Sequence, residues 1–168
     1  TTVENRAGGT QPRATLPETI VPYREALDTR RFDLGALWQA VRGRSVVTAR
    51  ATVARQWHDH LFGEVLERDR HDTGFAEVTL RRSNGGHTWV WGVAVEQDAY
   101  HPTDLPQFAY TFTTPGVFVQ DDIDVRPWLA LSLSGRLDHH SEYGWFLSPR
   151  VSALFRSGDW STRLSAGT

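Results

Sequence analysis

Histidine is the residue type whose placement in this chain could support chemistry. Six of the seven histidines lie in polar stretches between apolar segments, namely His58, His60, His71, His101, His139 and His140. Neutral imidazole ligates transition metals and can contact a metal chelate. No spacing among these residues matches a closed metal site, and the alternative interpretation is that they are polar aromatic side chains at strand ends. We therefore predict no bound metal and no cofactor, and we take these histidines as candidate ligand contacts together with Tyr100, Tyr143 and Trp145.

A second candidate set consists of polar and charged side chains that recur at alternate positions of predicted strands. Its members are Arg50, Glu77, Arg81, Glu96, Gln120, Arg136, Asp138, Arg150 and Arg163. Guanidinium groups bind carboxylate-bearing ligands through paired hydrogen bonds. The same arginines can instead pair across strands with the three carboxylates of the set, and the sequence leaves both interpretations open.

The sequence gives no support for enzyme chemistry. Asp121 and Asp122 are adjacent, so their carboxylates point to opposite faces of a strand and cannot share a proton. The chain lacks the G-x-S-x-G, His-Glu-x-x-His and phosphate-binding glycine-loop patterns. With 18 Lys and Arg against 20 Asp and Glu, its net charge is −2, which also argues against a nucleic-acid partner.

Eight segments of alternating apolar and polar residues must position these side chains. Period-two alternation predicts β-strands at 30–39, 46–57, 73–82, 88–97, 113–123, 129–138, 145–156 and 160–166. The first segment contains FDLGALWQAV, which also has helical propensity, so a helix there is the alternative. Asn84-Gly85-Gly86 predicts a hairpin, because Asn-Gly readily adopts the positive φ values of a type I′ turn.

The predicted connections alternate between short turns and long polar loops. The long loops are 58–72, 98–109 and 139–144, and the strands reach about 9–12 residues, near the length that a tilted strand needs to cross a bilayer. Trp and Tyr collect near both kinds of connection, as in aromatic girdles, although β propensity also favours them in strands. The pattern predicts an all-β, antiparallel up-and-down meander that forms part of a transmembrane β-barrel, with long external loops and short periplasmic turns.

Residues 113–168 resemble the barrel of TonB-dependent outer-membrane receptors. Four ordered elements carry the resemblance: Phe118, Gln120 and Asp121 as F-x-Q-D, then G-R-L-D at 135–138, S-P-R at 148–150 and R-L-S-x-G at 163–167. The resemblance implies a barrel of about 22 strands in a Gram-negative outer membrane, of which this chain supplies roughly eight. It also implies a receptor, not an enzyme, that takes up a ferric siderophore or another scarce solute with energy from the TonB complex.

The same resemblance implies the partners and the places of both candidate sets. The partners are outer-membrane lipid, a plug domain, the remaining barrel strands, TonB and a small-molecule or metal-chelate substrate; we find neither a plug nor a TonB box in this sequence. The second candidate set would face the barrel lumen, and the first would lie in external loops. Residues 28–168 would form the partial barrel, and residues 1–27, which contain three closely spaced prolines, would form an external loop or a disordered end. Because Met is absent even at the first residue and the sequence stops within a strand pattern, we expect a fragment of a longer protein.

Two other interpretations remain open from sequence alone. A soluble antiparallel β-sandwich, such as a carbohydrate-binding module, must bury the apolar strand face against a second sheet. The side chains concerned are Trp91, Val93, Leu131, Leu133, Val151 and Leu164. A small stand-alone outer-membrane barrel would instead close between the strands at 30–40 and 160–168.

Overall fold

The fold is built almost entirely from β-strands. The computed structural model describes residues 2–7 and 24–168, with side chains for residues 26–168. The strands are β1 (Thr2–Ala7), β2 (Arg24–Arg42), β3 (Ser45–Phe62), β4 (Val65–Asn84), β5 (His87–Pro102), β6 (Tyr110–Arg126), β7 (Leu129–His140), β8 (Gly144–Ser157) and β9 (Trp160–Gly167). A single-turn 3₁₀ helix, Pro106–Phe108, lies between β5 and β6. The all-β prediction is confirmed, and the eight predicted strands correspond to β2–β9.

Each strand pairs with its neighbours in sequence, in the order β1-β2-β3-β4-β5-β6-β7-β8-β9. The ladders β1–β2, β6–β7, β7–β8 and β8–β9 are antiparallel, as predicted for an up-and-down meander. The helical alternative for residues 30–39 is wrong, because β2 runs unbroken from Arg24 to Arg42. Gly35 lies close to the next strand, since a Cβ there would reach Thr52 Cγ2 at 3.4 Å.

The predicted long loop at 58–72 is wrong. β3 continues to Phe62 and β4 begins at Val65, so the two strands are joined by a two-residue turn in which Gly63 has φ 64°. Charged residues of this stretch instead pair across the two strands, as the 2.6 Å contact from Asp72 Oδ1 to Arg55 Nε of β3 shows. Polar side chains on both faces removed the alternation that identifies a strand in sequence.

The other predicted long loops are also shorter than expected. β5 extends to Pro102, which leaves 103–109 as the connection to β6, and β7 extends to His140, which leaves a turn at 141–143. At the N-terminus, β1 occupies Thr2–Ala7 and pairs with Arg24–Thr29 of β2. The rest of the predicted loop or disordered end, residue 1 and residues 8–23, lies outside the described residues.

The chain divides into two compact units. Unit 1 comprises Thr1–Leu34, Val53–Thr73 and Asp98–Thr111, and unit 2 comprises Gly35–Thr52, Gly74–Gln97 and Phe112–Thr168. Unit 1 includes the connections at 63–64 and 103–109. Unit 2 includes the turns at 43–44, 85–86, 127–128, 141–143 and 158–159.

The strand register defines two faces in unit 2, because directly paired residues share a face. The polar face contains the rows Phe118–Arg136–Ser148, Gln120–Ser134–Arg150, Asp122–Ser132–Ser152–Ser165 and Leu154–Arg163. The apolar face contains the rows Val119–Gly135–Pro149, Asp121–Leu133–Val151–Ala166 and Ile123–Leu131–Ala153–Leu164. The alternation read from the sequence therefore gives the correct faces for β7 and β9.

The apolar face does not pack into a closed core. Leu133 and Val151 are each 46% exposed and Leu164 is 62% exposed, and the buried apolar side chains of the described region are only Ala94 and Ala99. A soluble sandwich would have to bury these large side chains, so that interpretation is wrong.

Across residues 2–7 and 24–168, no helix has the length and apolar character needed to cross a membrane.

Candidate functional site

Two of the predicted histidines lie beside carboxylates and tyrosines in unit 1. We call this group the histidine–aspartate cluster, and its members are His58, Asp69, His71, Asp98, Tyr100 and Tyr110. His58 Nδ1 lies 2.7 Å from Asp69 Oδ1, and His71 Nε2 contacts Asp98 Oδ1. These contacts join β3 to β4 and β4 to β5, so the cluster depends on the extension of these strands into stretches that were predicted as loops.

Both ring nitrogens of His58 are engaged by neighbouring side chains. The Gln56 side-chain amide lies 2.7 Å from His58 Nε2, and Asp69 Oδ1 lies 2.7 Å from His58 Nδ1. The imidazole therefore links the Gln56 amide of β3 to the Asp69 carboxylate of β4.

Two tyrosine rings extend the cluster. Tyr100 stacks on Tyr110 with ring centroids 5.6 Å apart, and its edge meets the His71 ring at 6.1 Å. Stacked phenol rings present an electron-rich face that attracts cations. Tyr100 was predicted as a ligand contact and Tyr110 was not, because Tyr110 follows the loop residues in sequence and only strand pairing brings it to Tyr100.

The connection at 103–109 is attached to β4 by an ion pair. Asp104 Oδ2 accepts the backbone N–H of Arg68 at 2.8 Å, and its Oδ1 lies 3.0 Å from Arg68 Nη2. The hydrogen bond from the Arg68 side chain, with that of the backbone N–H, lowers the pKa of Asp104. The connection is therefore positioned by a carboxylate that remains charged at neutral pH.

A second group of rings lies in unit 2 at the turn between β7 and β8. We call Phe112, His140 and Tyr143 the ring cluster: His140 lies 4.9 Å from Phe112 and 4.7 Å from Tyr143 between ring centroids. The backbone N–H groups of Glu142 and Tyr143 both donate to His140 Nδ1, at 3.1 and 3.3 Å. The imidazole thus fixes the turn that carries Tyr143, and β6 joins it through the bond from Ser141 N–H to Thr113 O at 3.0 Å.

The polar face of unit 2 contains paired charges. Arg50 Nε lies 2.9 Å from Glu77 Oε1, and Arg136 Nη2 lies 2.8 Å from Asp138 Oδ1. Glu77 and Glu96 are also close enough to Arg136 to act on it electrostatically. Two of the predicted arginines therefore pair with the predicted carboxylates, one across strands and one along β7.

The Phe118 ring lies beside both Arg136 and the backbone of β5. The Arg136 guanidinium lies 5.6 Å from the centre of the Phe118 ring. The ring also covers Gly92, since a Cβ at that position would lie 2.6 and 2.8 Å from Phe118 Cε1 and Cε2. Gly92 is therefore required by the ring above it.

The other predicted members of the polar set are differently placed. A groove of about 320 Å³ is lined by residues that include Gln120, Asp122, Ser132, Ser152 and Arg163. Arg150 occupies the Gln120 row of the polar face. Within residues 26–168, Arg81, Arg150 and Arg163 make no ion pair.

Four predicted ligand contacts lie outside both clusters. His60 packs against Phe62 with ring centroids 3.7 Å apart, and His101 interacts electrostatically with Asp72. His139 meets Trp145 at 4.7 Å. His139 and Trp145 are directly paired one row beyond Asp138 and Phe146, so they share the side of Leu137 and Leu147.

The sequence did not reveal a hydrogen-bonded histidine–carboxylate pair on the apolar face. His87 Nδ1 lies 2.7 Å from Asp121 Oδ2, and the Asp121 residue is only 6% exposed. The His87 ring stacks on Trp89, which stacks on Trp91. The position of Asp121 on the face opposite Asp122 was predicted; its partner was not, because His87 is 34 residues away.

No group of three or more His, Asp or Glu side chains among the described residues is arranged to hold a metal ion.

Comparison with known proteins identifies the class. The family profile described as TonB dependent receptor-like, beta-barrel, matches residues 7–168. The fold is similar to the crystal structure of the siderophore receptor PirA from Pseudomonas aeruginosa, with a TM-score of 0.76 and 16% sequence identity. The match covers 86% of this chain and 28% of PirA. No curated protein sequence matches the chain.

The chain belongs to the TonB-dependent receptor family and forms part of its β-barrel. Barrels of this family reside in the Gram-negative outer membrane, and the family consists of transport receptors rather than enzymes. The family resemblance and the location predicted from the closing stretch are confirmed. A stand-alone barrel requires pairing between the strands at 30–40 and 160–168, whereas in the described sheet β2 pairs with β1 and β3, and β9 pairs with β8. The chain spans 28% of the length of PirA.

Proposed function

We propose that this chain is part of a receptor that takes up a ferric siderophore or another scarce solute across the outer membrane, with energy from TonB. The observation that carries the proposal is the family match over residues 7–168. The fold of PirA, itself a siderophore receptor, adds support at the level of architecture. Outer-membrane lipid, a plug domain, the remaining barrel strands, TonB and the substrate are the proposed partners.

The proposed lumen lining is the polar face of unit 2. Its charged pairs, Arg50–Glu77 and Arg136–Asp138, support this assignment, because an ion pair is less costly beside water than beside lipid. The exposed apolar rows would then contact lipid. Arg81, Glu96, Gln120, Arg150 and Arg163 belong to the same proposed lining.

The proposed ligand contacts are the histidine–aspartate cluster and the ring cluster. Both combine rings with hydrogen-bonding groups, which is the composition of small-molecule sites. Two connections lie beside these clusters, 103–109 and 141–143, and we assign them to the external side. His60, His101, His139 and Trp145 stay predicted contacts that neither cluster contains.

The function is tested in the producing organism under iron limitation. A strain lacking the gene is supplied with single ferric chelates, and uptake of labelled iron is measured with and without TonB. We expect one chelate to lose TonB-dependent uptake and the intact gene to restore it. Unchanged uptake of every chelate, together with unchanged uptake of other scarce solutes such as cobalamin, would contradict the proposal.

Substitutions test the ligand contacts in the same assay. We expect Tyr100→Ala and His140→Ala to reduce uptake while leaving the amount of receptor in the membrane unchanged. Thr162→Ala is the matched control, because Thr162 is paired with Phe155 in β9, away from both clusters in sequence and register. Equal uptake by all three variants would remove both clusters from the proposed site.

A further inference from the structure

We infer that the substrate of this receptor is cationic and that Asp69 and Asp98 of the histidine–aspartate cluster recognise its positive charge. The inference rests on the proposed function, because it specifies the substrate class of the proposed receptor. It excludes anionic ferric chelates, which guanidinium groups would be expected to bind.

The two units differ in charge. The described side chains of unit 1 include nine Asp and Glu, five Arg and no Lys, so their net charge is −4. Those of unit 2 include eight Asp and Glu and ten Arg, so their net charge is +2. Negative charge is therefore concentrated in unit 1, which contains the histidine–aspartate cluster, and such a surface attracts cations and repels anions before contact.

The described arginines of unit 1 lie beside carboxylates. All five with described side chains are paired with carboxylates: Arg30 with Asp28, Arg31 with Asp33, Arg55 and Arg70 with Asp72, and Arg68 with Asp104. Each of these arginines therefore has a carboxylate beside it, which weakens its attraction for an anionic ligand. Only Asp72 is shared, between Arg55 and Arg70.

No arginine of the described region pairs with the two carboxylates of the cluster. Asp69 and Asp98 are instead hydrogen-bonded to the imidazoles of His58 and His71. The side chain of Asp98 is 38% exposed, so a ligand can reach it.

The tyrosine pair supports the same charge preference. Tyr100 lies beside His71 and stacks on Tyr110. An ammonium group over a phenol ring is attracted by the electron-rich ring face, and a nearby carboxylate strengthens that attraction. Carboxylates beside stacked phenols favour a ligand that presents a cationic group.

The test measures equilibrium binding of three ferric chelates to the purified full-length receptor in detergent. The first is a linear trihydroxamate with a free terminal ammonium, the second is the same chelate acetylated at that amine, and the third is an anionic tris-catecholate. We expect the first to bind roughly tenfold more tightly than the second, and the third not to bind. The difference between the first two should shrink as salt is raised, because screening weakens charge–charge contacts.

Two substitutions test which carboxylates recognise the ammonium group of the chelate, Asp98→Asn and Asp69→Asn. Each keeps the shape of the side chain and should reduce the preference for the ammonium-bearing chelate over its acetylated form. Asp33→Asn is the control, because Asp33 is paired with Arg31 and has no contact with the cluster. Equal binding of the two trihydroxamates, preferential binding of the catecholate, or an unchanged preference in the two cluster variants would each overturn the inference while the proposed uptake function stands. If none of the chelates binds, the inference and the ferric-chelate form of the proposed function both fail.

Discussion

At the residue scale, the fold depends on a few positions where one side chain restricts which residue or backbone conformation can lie beside it. Gly92 is one of them, since the Phe118 ring fills the space where a Cβ would lie. His140 is another, because two backbone N–H groups of the following turn donate to its Nδ1. The sequence shows a glycine and a histidine at these positions but does not show why they are needed. The Gly92 contact comes from another strand, and the His140 contacts come from the backbone of the turn.

Gly92→Ala should therefore destabilise the barrel. The added methyl group must displace an aromatic ring that Arg136 also contacts, and such overpacking costs about 1–3 kcal/mol. The check is the temperature at which the full-length receptor loses its heat-modifiable migration in gels. Phe118→Leu in the same chain should recover part of the loss, and an unchanged transition temperature for Gly92→Ala alone would contradict the packing argument.

Asp104 gives the connection at 103–109 a response to acid. Its folded-state pKa is lowered by Arg68, below an unfolded value of about 3.9, so the contact stabilises the connection above that value. The stabilisation is lost as the pH falls through the lowered pKa. We expect a spin label at Gln107→Cys to be restrained at neutral pH and to gain motion in acid, as this stabilisation is lost.

The control for this measurement is Asp104→Asn. The label should already be mobile at neutral pH in that variant and should change little with acid. The chain has no native cysteine, so the label attaches at one position. A pH response that survives in Asp104→Asn would assign the effect to another group.

At the element scale, the strands were predictable where their two faces differ. In β7, leucine alternates with serine, arginine and aspartate, and the observed register places these sets on opposite faces. The stretch 58–72 was not predictable in this way, because Arg55, Asp72 and their neighbours make both faces polar while the backbone stays paired. Gly63 in a two-residue turn was the cue that could have revealed the hairpin.

The assignment of lipid and lumen faces can be tested within β7. Leu133→Arg places a charge on the apolar face and should destabilise an inserted barrel by about 2–4 kcal/mol if the site lies near the bilayer centre. Ser134→Arg, one residue later, adds the same charge to the polar face and should be tolerated. The measurement is the amount of folded receptor in outer-membrane fractions, and equal loss from both variants would contradict the assignment.

The candidate site was predictable at the level of residue types and not at the level of partners. His58, His71 and Tyr100 were chosen from sequence, and the structure brings them together with Asp69 and Asp98. The carboxylates were missed because they lie in a stretch predicted as loop, where no register could be assigned. His139 and Trp145 were chosen for the same reasons, yet their row lies on the side of Leu137.

At the scale of the whole molecule, the described region has many exposed apolar side chains and almost no apolar core. Ala94 and Ala99 are its buried apolar residues, whereas Trp38, Leu133 and Leu147 are among those left exposed. A surface of this kind needs an apolar surrounding phase, and a composition with mean hydropathy of −0.43 conceals this because only alternate residues face that phase.

We therefore expect this chain to adopt β-structure stably only in detergent micelles or lipid vesicles. Diluted from urea into buffer alone, it should aggregate, because exposed apolar patches and unpaired strand edges associate. Far-ultraviolet circular dichroism and sedimentation provide the check. A monodisperse, β-rich species in buffer without detergent would contradict this view of the apolar face.

The two-residue turn between β3 and β4 has a practical consequence for engineering. The 20 residues of β4 span about 65 Å, and even at a tilt of about 45° they rise well beyond a hydrocarbon core of about 30 Å. The proposed outer part of this hairpin therefore consists of paired β-strands up to the turn rather than a long loop. A short peptide epitope inserted between Gly63 and Glu64 would be held above the lipid headgroups and accessible to antibodies on intact cells, which makes this turn an attachment point for surface display.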